Sequence, residues 1–96
     1  MFIVSLHYVV GLDRIDAARD AHIAFLDKYY ANGTFIASGR KEPRTGGIIL
    51  ARAESLPVLE KVLDEDPFRQ QGLAEYQVTE FIVSKTAPGL EALHDA

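Results

Sequence analysis

Two titratable side chains are the strongest candidates for chemistry in this sequence, His22 and Asp66. His22 falls in the middle of the apolar stripe of a predicted helix, and a buried imidazole must find hydrogen-bond partners. Burial favours the neutral ring and a nearby carboxylate favours the charged ring, so a His–carboxylate pair suits general acid–base catalysis near neutral pH. The alternative interpretation is a neutral core histidine with a backbone or hydroxyl partner.

Asp66 is the last of three consecutive acids and stands directly before Pro67. A residue before proline disfavours the α conformation. We therefore predict that Asp66 leaves the preceding helix, while Asp64 and Glu65 stay in its last turn and in solvent. Asp66 can cap a short turn that runs through Arg69, or it can face a partner such as His22. The spacing leaves both interpretations open.

Three further residues are candidates for substrate binding: Arg19, Ser38 and Arg40. Arg19 lies one helical turn before His22, at the edge of the apolar stripe. Arg40 opens a polar turn whose cations, with Lys41 and Arg44, could receive an anionic substrate at a pocket mouth; a solvated turn is the alternative. Ser38 has no activating base visible in the sequence, so no nucleophile is assigned.

The chain has no metal-site signature, and we expect no cofactor. Its three histidines, His7, His22 and His94, are far apart in the sequence, and it has no cysteine for a thiolate site. The acidic run at 64–66 could bind a hard cation, but adjacent carboxylates at a helix end are more often hydrated.

Hydrophobic periodicity places these residues on a simple series of elements. Alternation from Phe2 to Tyr8 predicts a strand, and Asp13 is a candidate cap for a helix that runs to about Asn32, with Gly33 after it. Further strands are predicted over 34–40, 47–53 and 74–85. A second helix begins after Ser55, with Pro57 in its first turn.

The order β-α-β-β-α-β predicts an α+β, ferredoxin-like fold, a four-stranded antiparallel sheet with two helices on one face. We assign 1–85 to a single domain and 86–96 to a C-terminal tail. Ile3, Phe81 and Val83 alternate with Phe2 and Ile82, so both sheet faces carry apolar side chains. A homodimer, sheet against sheet, would cover the second face.

Composition excludes several partners. The net charge is −4 and the basic residues form no stripe, so nucleic acid is not an expected partner. No apolar run is long enough to cross a bilayer, and the apolar N-terminus lacks the basic flank of a signal peptide. The absence of cysteine fits a reducing compartment, and we predict a cytoplasmic protein.

Three segments in order resemble one family. "RDAHIAFL" (19–26), "NGTFIASG" (32–39) and "DEDPFRQQGL" (64–73) are similar to the pattern of the YCII-related domain family, in which a histidine helix, a glycine-bounded strand and a D-P-F segment follow one another. The likeness extends to about Lys85. The chain departs from the family at Arg40, where many members have proline after the glycine.

The resemblance implies a dimeric α+β barrel fold and an active site made of His22 and Asp66. Relatives include a dehydrochlorinase of chlorinated hydroxyquinols, and the fold is similar to muconolactone isomerase. The expected function is therefore proton transfer on a small, oxygenated and anionic substrate, by an isomerase or a lyase of the dehydrohalogenase type, without a metal.

A non-catalytic dimeric module that binds a small ligand or a regulatory partner is the competing hypothesis. An enzyme requires a partly apolar cavity to which His22 and Asp66 both open, whereas a pair inside a closed core favours a structural role. A haem-binding or cofactor-free oxygenase on the same barrel is a third option without specific support.

Overall fold

The computed structural model describes residues 1–94, which form an antiparallel sheet with helices on one face. The strands are β1 (Phe2–Tyr8), β2 (Phe35–Arg40), β3 (Gly46–Ala51) and β4 (Ala74–Glu80), and their order in the sheet is β2-β3-β1-β4. The helices are α1 (Leu12–Ala31), α2 (Leu56–Leu63) and the one-turn α3 (Pro67–Gln70). The predicted α+β, ferredoxin-like fold is confirmed, and α3 adds a third helix to the two predicted.

Alternation along the central strand β1 builds the core. Phe2, Val4 and Leu6 are buried under the helices, whereas Ile3 and His7 on the other face are exposed. The α1 residues that complete the core follow the helical period predicted from the sequence: Ile15, Ala18, Phe25 and Tyr29. The apolar side of α1 therefore faces the core.

Two glycines carry conformations or contacts that other residues would not tolerate. Gly33, at φ +84°, follows α1 in the left-handed region, as predicted for the residue after a helix end. A Cβ atom at Gly46 would lie 1.7 Å from the carbonyl oxygen of Leu6. The close approach of β1 and β3 at this point therefore requires glycine at position 46.

The predicted cap of α1 is wrong by two residues. Gly11 is the N-cap and makes no side-chain capping bond, while Asp13 lies in the first turn, where a carboxylate complements the helix dipole. Ser55 caps α2 as predicted, by accepting a hydrogen bond from the Val58 amide at 3.4 Å.

The fourth strand is shorter than predicted, because it ends at Glu80 and not at residue 85. β4 is an edge strand that pairs only with β1, and β1 begins at Phe2. The Phe81 amide still donates to the Met1 carbonyl at 2.9 Å, and the ladder between β4 and β1 ends at Glu80. Phe81, Ile82 and Val83 therefore lie outside the sheet. The apolar side chains on the second face of the sheet are those of Ile3, Ile48 and Leu50.

The segment predicted as a tail contains a short 3-10 turn, Glu91–Leu93, within the described residues. The Arg52 guanidinium donates to the Ala92 carbonyl, and His94 Nε2 lies 3.0 Å from the Ser84 carbonyl oxygen. Residues 95 and 96 of the predicted tail lie outside the described residues. The division of the chain at residue 85 stays a prediction.

No helix within residues 1–94 combines the length and the hydropathy needed to cross a bilayer.

Candidate active site

The structure brings His22 and Asp66 together although 44 residues separate them. His22 lies on α1 and Asp66 lies between α2 and α3, and His22 Nδ1 is 2.7 Å from Asp66 Oδ1. The Asp66 side chain is fully buried and the His22 side chain is 14% exposed. A carboxylate oxygen only accepts, so Nδ1 is the donor and the ring carries its proton there.

Local backbone chemistry explains why Asp66 faces inward. Pro67 follows it, and Asp66 adopts an extended conformation (φ −71°, ψ 121°) at the N-cap of α3. Its Oδ1 also accepts a hydrogen bond from the Phe68 amide at 3.0 Å. Capping a turn and facing His22 were alternatives in the sequence, yet both occur, because one carboxylate oxygen can accept two hydrogen bonds.

A third donor, which the sequence reasoning missed, binds the other oxygen of this carboxylate. The Tyr76 hydroxyl, on β4, donates to Asp66 Oδ2. Burial, followed by the Asp66 charge, raises the pKa of Tyr76 far above its usual value, so the phenol stays protonated. The sequence contains a pattern that could have predicted this contact. Ala74, Tyr76 and Val78 alternate toward the core, and a phenol that faces the core needs a hydrogen-bond partner.

Phe68 holds the imidazole in place by stacking. The two ring centroids are 4.0 Å apart and the ring planes differ by 2°. Phe68 is buried, as predicted for a residue that anchors the connector, and Tyr8 packs edge-on against it at 6.1 Å. Within residues 1–94 the only hydrogen bond of the His22 ring is the one at Nδ1. Nε2 therefore has no hydrogen-bond partner among the described residues.

A cavity of about 660 Å³ lies between α1 and the β2–β3 edge of the sheet, and His22 lines it. Its wall is partly apolar, with Leu6, Ile15, Ile23, Leu26 and Ile49. Asp66 does not line this cavity. The condition that both members of the pair open to a cavity is met by His22 and not by Asp66, because the imidazole stands between the carboxylate and the cavity.

All three predicted substrate-binding residues lie around the same cavity: Arg19 from α1, and Ser38 and Arg40 from β2. Within the described part of the chain, neither Arg19 nor Arg40 has a carboxylate within 4 Å. Ser38 Oγ accepts a hydrogen bond from the Tyr30 hydroxyl at 2.6 Å, which leaves the serine proton able to donate to a ligand.

Arg44 lines the cavity as well, but its charge is already paired. Its guanidinium donates to Asp16 on α1, and this contact lowers the pKa of Asp16. Arg44 was predicted together with Arg40 as a receiver of anions, and its partner was missed because Asp16 lies 28 positions away in the sequence, on α1. Lys41, the third predicted cation, is not among the cavity residues.

The other two acids of the 64–66 run are exposed, as predicted, and Glu65 in addition makes specific contacts. Glu65 accepts from Lys28 Nζ at 2.6 Å and from the Tyr29 hydroxyl, so it ties the end of α2 to α1. Lys28, above all, lowers the pKa of Glu65. Asp64 stays mostly exposed, 3.6 Å from the Arg69 guanidinium. Among residues 1–94, no three His, Asp or Glu side chains are grouped closely enough to hold a metal ion.

Comparison with known families identifies the chain. The model of the YCII-related domain matches residues 1–82. The chain belongs to the YCII-related domain family. The resemblance seen in the 19–26, 32–39 and 64–73 segments is thereby confirmed at the level of the family. No curated protein sequence matches the chain significantly.

A solved structure of a YCII-like fold is also similar to this chain. It is the 5-chloro-2-hydroxyhydroquinone dehydrochlorinase (TftG) of Burkholderia phenoliruptrix AC1100, in complex with 2,5-dihydroxybenzoquinone. The TM-score is 0.70 at 24% sequence identity, over 83% of this chain and 91% of that chain. At this identity the likeness supports the α+β fold of this chain and nothing beyond the fold.

Proposed function

We propose that this YCII-related protein is a small-molecule enzyme that moves a proton on an oxygenated, anionic substrate, as an isomerase or a lyase. The observation that carries the proposal is the placement of His22. Its Nδ1 is held 2.7 Å from a fully buried carboxylate while its ring lines a cavity of about 660 Å³. A cavity of this size is typical of small-molecule sites.

His22 acts as the general base through Nε2 in this proposal. Nε2 removes a proton from a carbon beside a carbonyl group, and the C–H electron pair moves into the carbonyl to form an enolate. The ring becomes an imidazolium, whose charge the Asp66 carboxylate stabilises. The enolate then takes the proton back at another carbon, which is isomerisation, or expels a β-substituent as an anion, which is elimination.

Arg19, Arg40 and Ser38 bind the substrate in this proposal. The two guanidiniums supply positive charge where an enolate oxygen or a carboxylate would lie, and such charge-assisted hydrogen bonds are about twice as strong as neutral ones. The molecule bound in the similar structure, 2,5-dihydroxybenzoquinone, is a planar ring with two acidic hydroxyls. It belongs to the substrate class that these residues would accept and is a suitable first probe.

Proton transfer is tested by 1H NMR in D2O, with 2,5-dihydroxybenzoquinone and a panel of unsaturated lactones as probes. We expect the protein to accelerate the replacement of a probe C–H by C–D. His22→Gln should lower the accelerated rate by about 10²–10⁴, the usual contribution of a general base. His94→Gln is the matched control, because His94 lies far along the chain and does not line the cavity.

Equal exchange rates in wild type and His22→Gln would contradict the proposed base. If the probes bind, as seen by shifts of the Gly39 and Gly47 amide signals, and none exchanges, the competing hypothesis of a non-catalytic ligand-binding module is favoured.

The arginine assignment is tested by affinity for 2,5-dihydroxybenzoquinone. Arg40→Gln should weaken binding about tenfold or more, because hydrogen bonds to charged groups contribute about 1.5–3 kcal/mol. Arg14→Gln is the control, since Arg14 is exposed on α1 and does not line the cavity. An affinity that is the same in Arg40→Gln as in wild type would contradict the role of Arg40.

We also propose a homodimer that pairs the uncovered sheet faces. Ile3 and Ile48 lie on that face and are 36% and 37% exposed, beside the half-buried Leu50. Light scattering at micromolar concentration should give twice the chain mass. Ile48→Lys should produce a monomer, whereas Val58→Lys, on the outer side of α2, should not. A wild-type monomer would contradict the dimer.

A further inference from the structure

The Asp66 carboxylate is held at both of its oxygens. Oδ1 accepts from His22 and from the Phe68 amide, and Oδ2 accepts from the Tyr76 hydroxyl. The donors come from three elements, α1, α3 and β4. Two bonds at Oδ1 alone would leave the carboxylate able to turn about its Cβ–Cγ bond, whereas a third bond at Oδ2 fixes its plane.

We propose that Tyr76 is a positioning residue for the proposed reaction: its hydroxyl orients the Asp66 carboxylate, which keeps the His22 proton on Nδ1 and the Nε2 lone pair toward the cavity. The inference rests on the proposed function for its catalytic meaning. Tyr76 does not line the cavity, so it acts through Asp66 and does not touch the substrate.

The chemistry of the phenol supports this role. The phenol donates to Oδ2, so the carboxylate that accepts from His22 Nδ1 at Oδ1 is also held by a donor at its other oxygen. The carboxylate therefore keeps its place as the acceptor of the Nδ1 hydrogen bond when the imidazole becomes charged. Because the pKa of Tyr76 is raised by burial, the phenol remains a donor throughout the pH range in which a histidine base operates.

A cation behind the phenol strengthens it as a donor. The Arg69 guanidinium lies over the Tyr76 ring, 5.2 Å from its centroid, and lowers the cost of charge on the phenol oxygen. Arg69 is itself held by Glu60, at 2.6 Å between Nη2 and Oε2. The line of contacts therefore runs from Glu60 through Arg69 and Tyr76 to Asp66 and His22.

The test is the tautomer of His22, read from the 15N shifts of its two ring nitrogens at a pH where the ring is neutral. In wild type we expect one dominant tautomer with the proton on Nδ1. Tyr76→Phe removes the hydroxyl and keeps the ring. It should populate the other tautomer and speed exchange of the Nδ1 proton with water roughly tenfold or more, the effect expected for losing a hydrogen bond to a charged group.

Tyr29→Phe is a matched control in the same chain. Tyr29 is also buried and also donates its hydroxyl to a carboxylate, that of Glu65, without contacting Asp66. A purely structural role for Tyr76 predicts that both variants lose stability and that neither changes the His22 tautomer. That result would overturn the proposal.

A measurement on the wild-type protein covers the case in which Tyr76→Phe does not fold. A hydroxyl held on a buried carboxylate exchanges slowly and gives its own proton resonance, with a cross-peak to the Tyr76 ring protons. Observation of this resonance supports the proposal, and fast exchange of the Tyr76 hydroxyl with water overturns it.

These readouts separate the inference from the proposed function, because they require no turnover. If His22→Gln leaves proton exchange on the probes unchanged but Tyr76→Phe shifts the tautomer, the proposed reaction fails and the positioning by Tyr76 stands. If the tautomer is unaffected while His22→Gln abolishes exchange, the reaction stands and the role of Tyr76 fails.

Discussion

Glu65 and Asp66 are adjacent in sequence and make similar contacts with very different surroundings. Each accepts a tyrosine hydroxyl, and each binds a nitrogen donor on α1, Lys28 for Glu65 and His22 for Asp66. The Glu65 side chain is 44% exposed, whereas Asp66 is fully buried. The comparison of these two residues shows that their hydrogen-bond partners do not distinguish them. Burial does: the exposed carboxylate links two helices at the surface, whereas the buried one is a candidate part of an active site.

The largest expected contrast is in stability. Asp66→Ala should lower the free energy of unfolding by about 3 kcal/mol or more, because it leaves three donors without an acceptor in a buried place. Glu65→Ala should cost much less, since Glu65 is itself exposed and Lys28 reaches water instead. Urea unfolding of both variants measures the contrast, and equal losses would remove the distinction drawn from burial.

Variants of the two tyrosines should show the same contrast in stability, with smaller losses. Tyr76→Phe leaves Asp66 Oδ2 without a donor, and we expect a loss of about 1–3 kcal/mol. Tyr29→Phe should have a smaller effect, because Glu65 keeps Lys28 and access to solvent. The urea unfolding midpoints of the two variants at one pH measure both losses of stability. A larger loss for Tyr29→Phe than for Tyr76→Phe would contradict the expected order.

At alkaline pH the stability of the protein should depend on the buried tyrosine, Tyr76. The pKa of Tyr76 is raised in the folded state, so above about pH 10 the unfolded chain releases a phenol proton that the folded chain retains. Stability therefore falls as the pH rises, by about 1.4 kcal/mol per pH unit for each such group. Tyr76→Phe should make the slope shallower, with a remainder from Tyr29, whose pKa burial also raises.

The smallest effect concerns Glu65 at acid pH. Its pKa is lowered in the folded state, mainly by Lys28, so its contribution is present above the ordinary glutamate pKa and is lost as the pH falls through the folded value. The small stability difference between wild type and Glu65→Gln should therefore shrink between pH 6 and pH 3. It should also shrink in 1 M salt, which screens an exposed pair. A difference that grows with acid would contradict this.

Much of the fold follows from short-range signals. The alternation in β1, the stripe on α1, the Ser55 cap and the glycine after α1 each act within one element, so element order and fold class are predictable. The end of β4 was not, since Phe81 to Val83 are good strand residues by type, and the extent of their pairing depends on a strand distant in sequence. The Gly11 cap was missed because Asp13 is the better capping residue by type.

The candidate site also has features that the sequence predicts and features that it does not. The helical period of the apolar residues predicts that His22 lies in the middle of the apolar stripe. Pro67 predicts that Asp66 leaves α2. Tyr76 and the Asp16–Arg44 pair were missed, because each joins elements distant in sequence. The contact between Arg44 and Asp16 in turn leaves Arg19 and Arg40 as the cavity arginines without a carboxylate partner in the described part of the chain.

The sequence by itself determined the elements, the family and the conformation of Asp66, because these depend on neighbours within a turn or on a recognisable pattern. Only the tertiary structure decided that Asp66 Oδ1 lies 2.7 Å from His22 Nδ1 and that the ring stands between carboxylate and cavity. The physical reason is that a side-chain hydrogen bond across 44 residues depends on how α1 and α3 dock, and docking is set by the whole core at once.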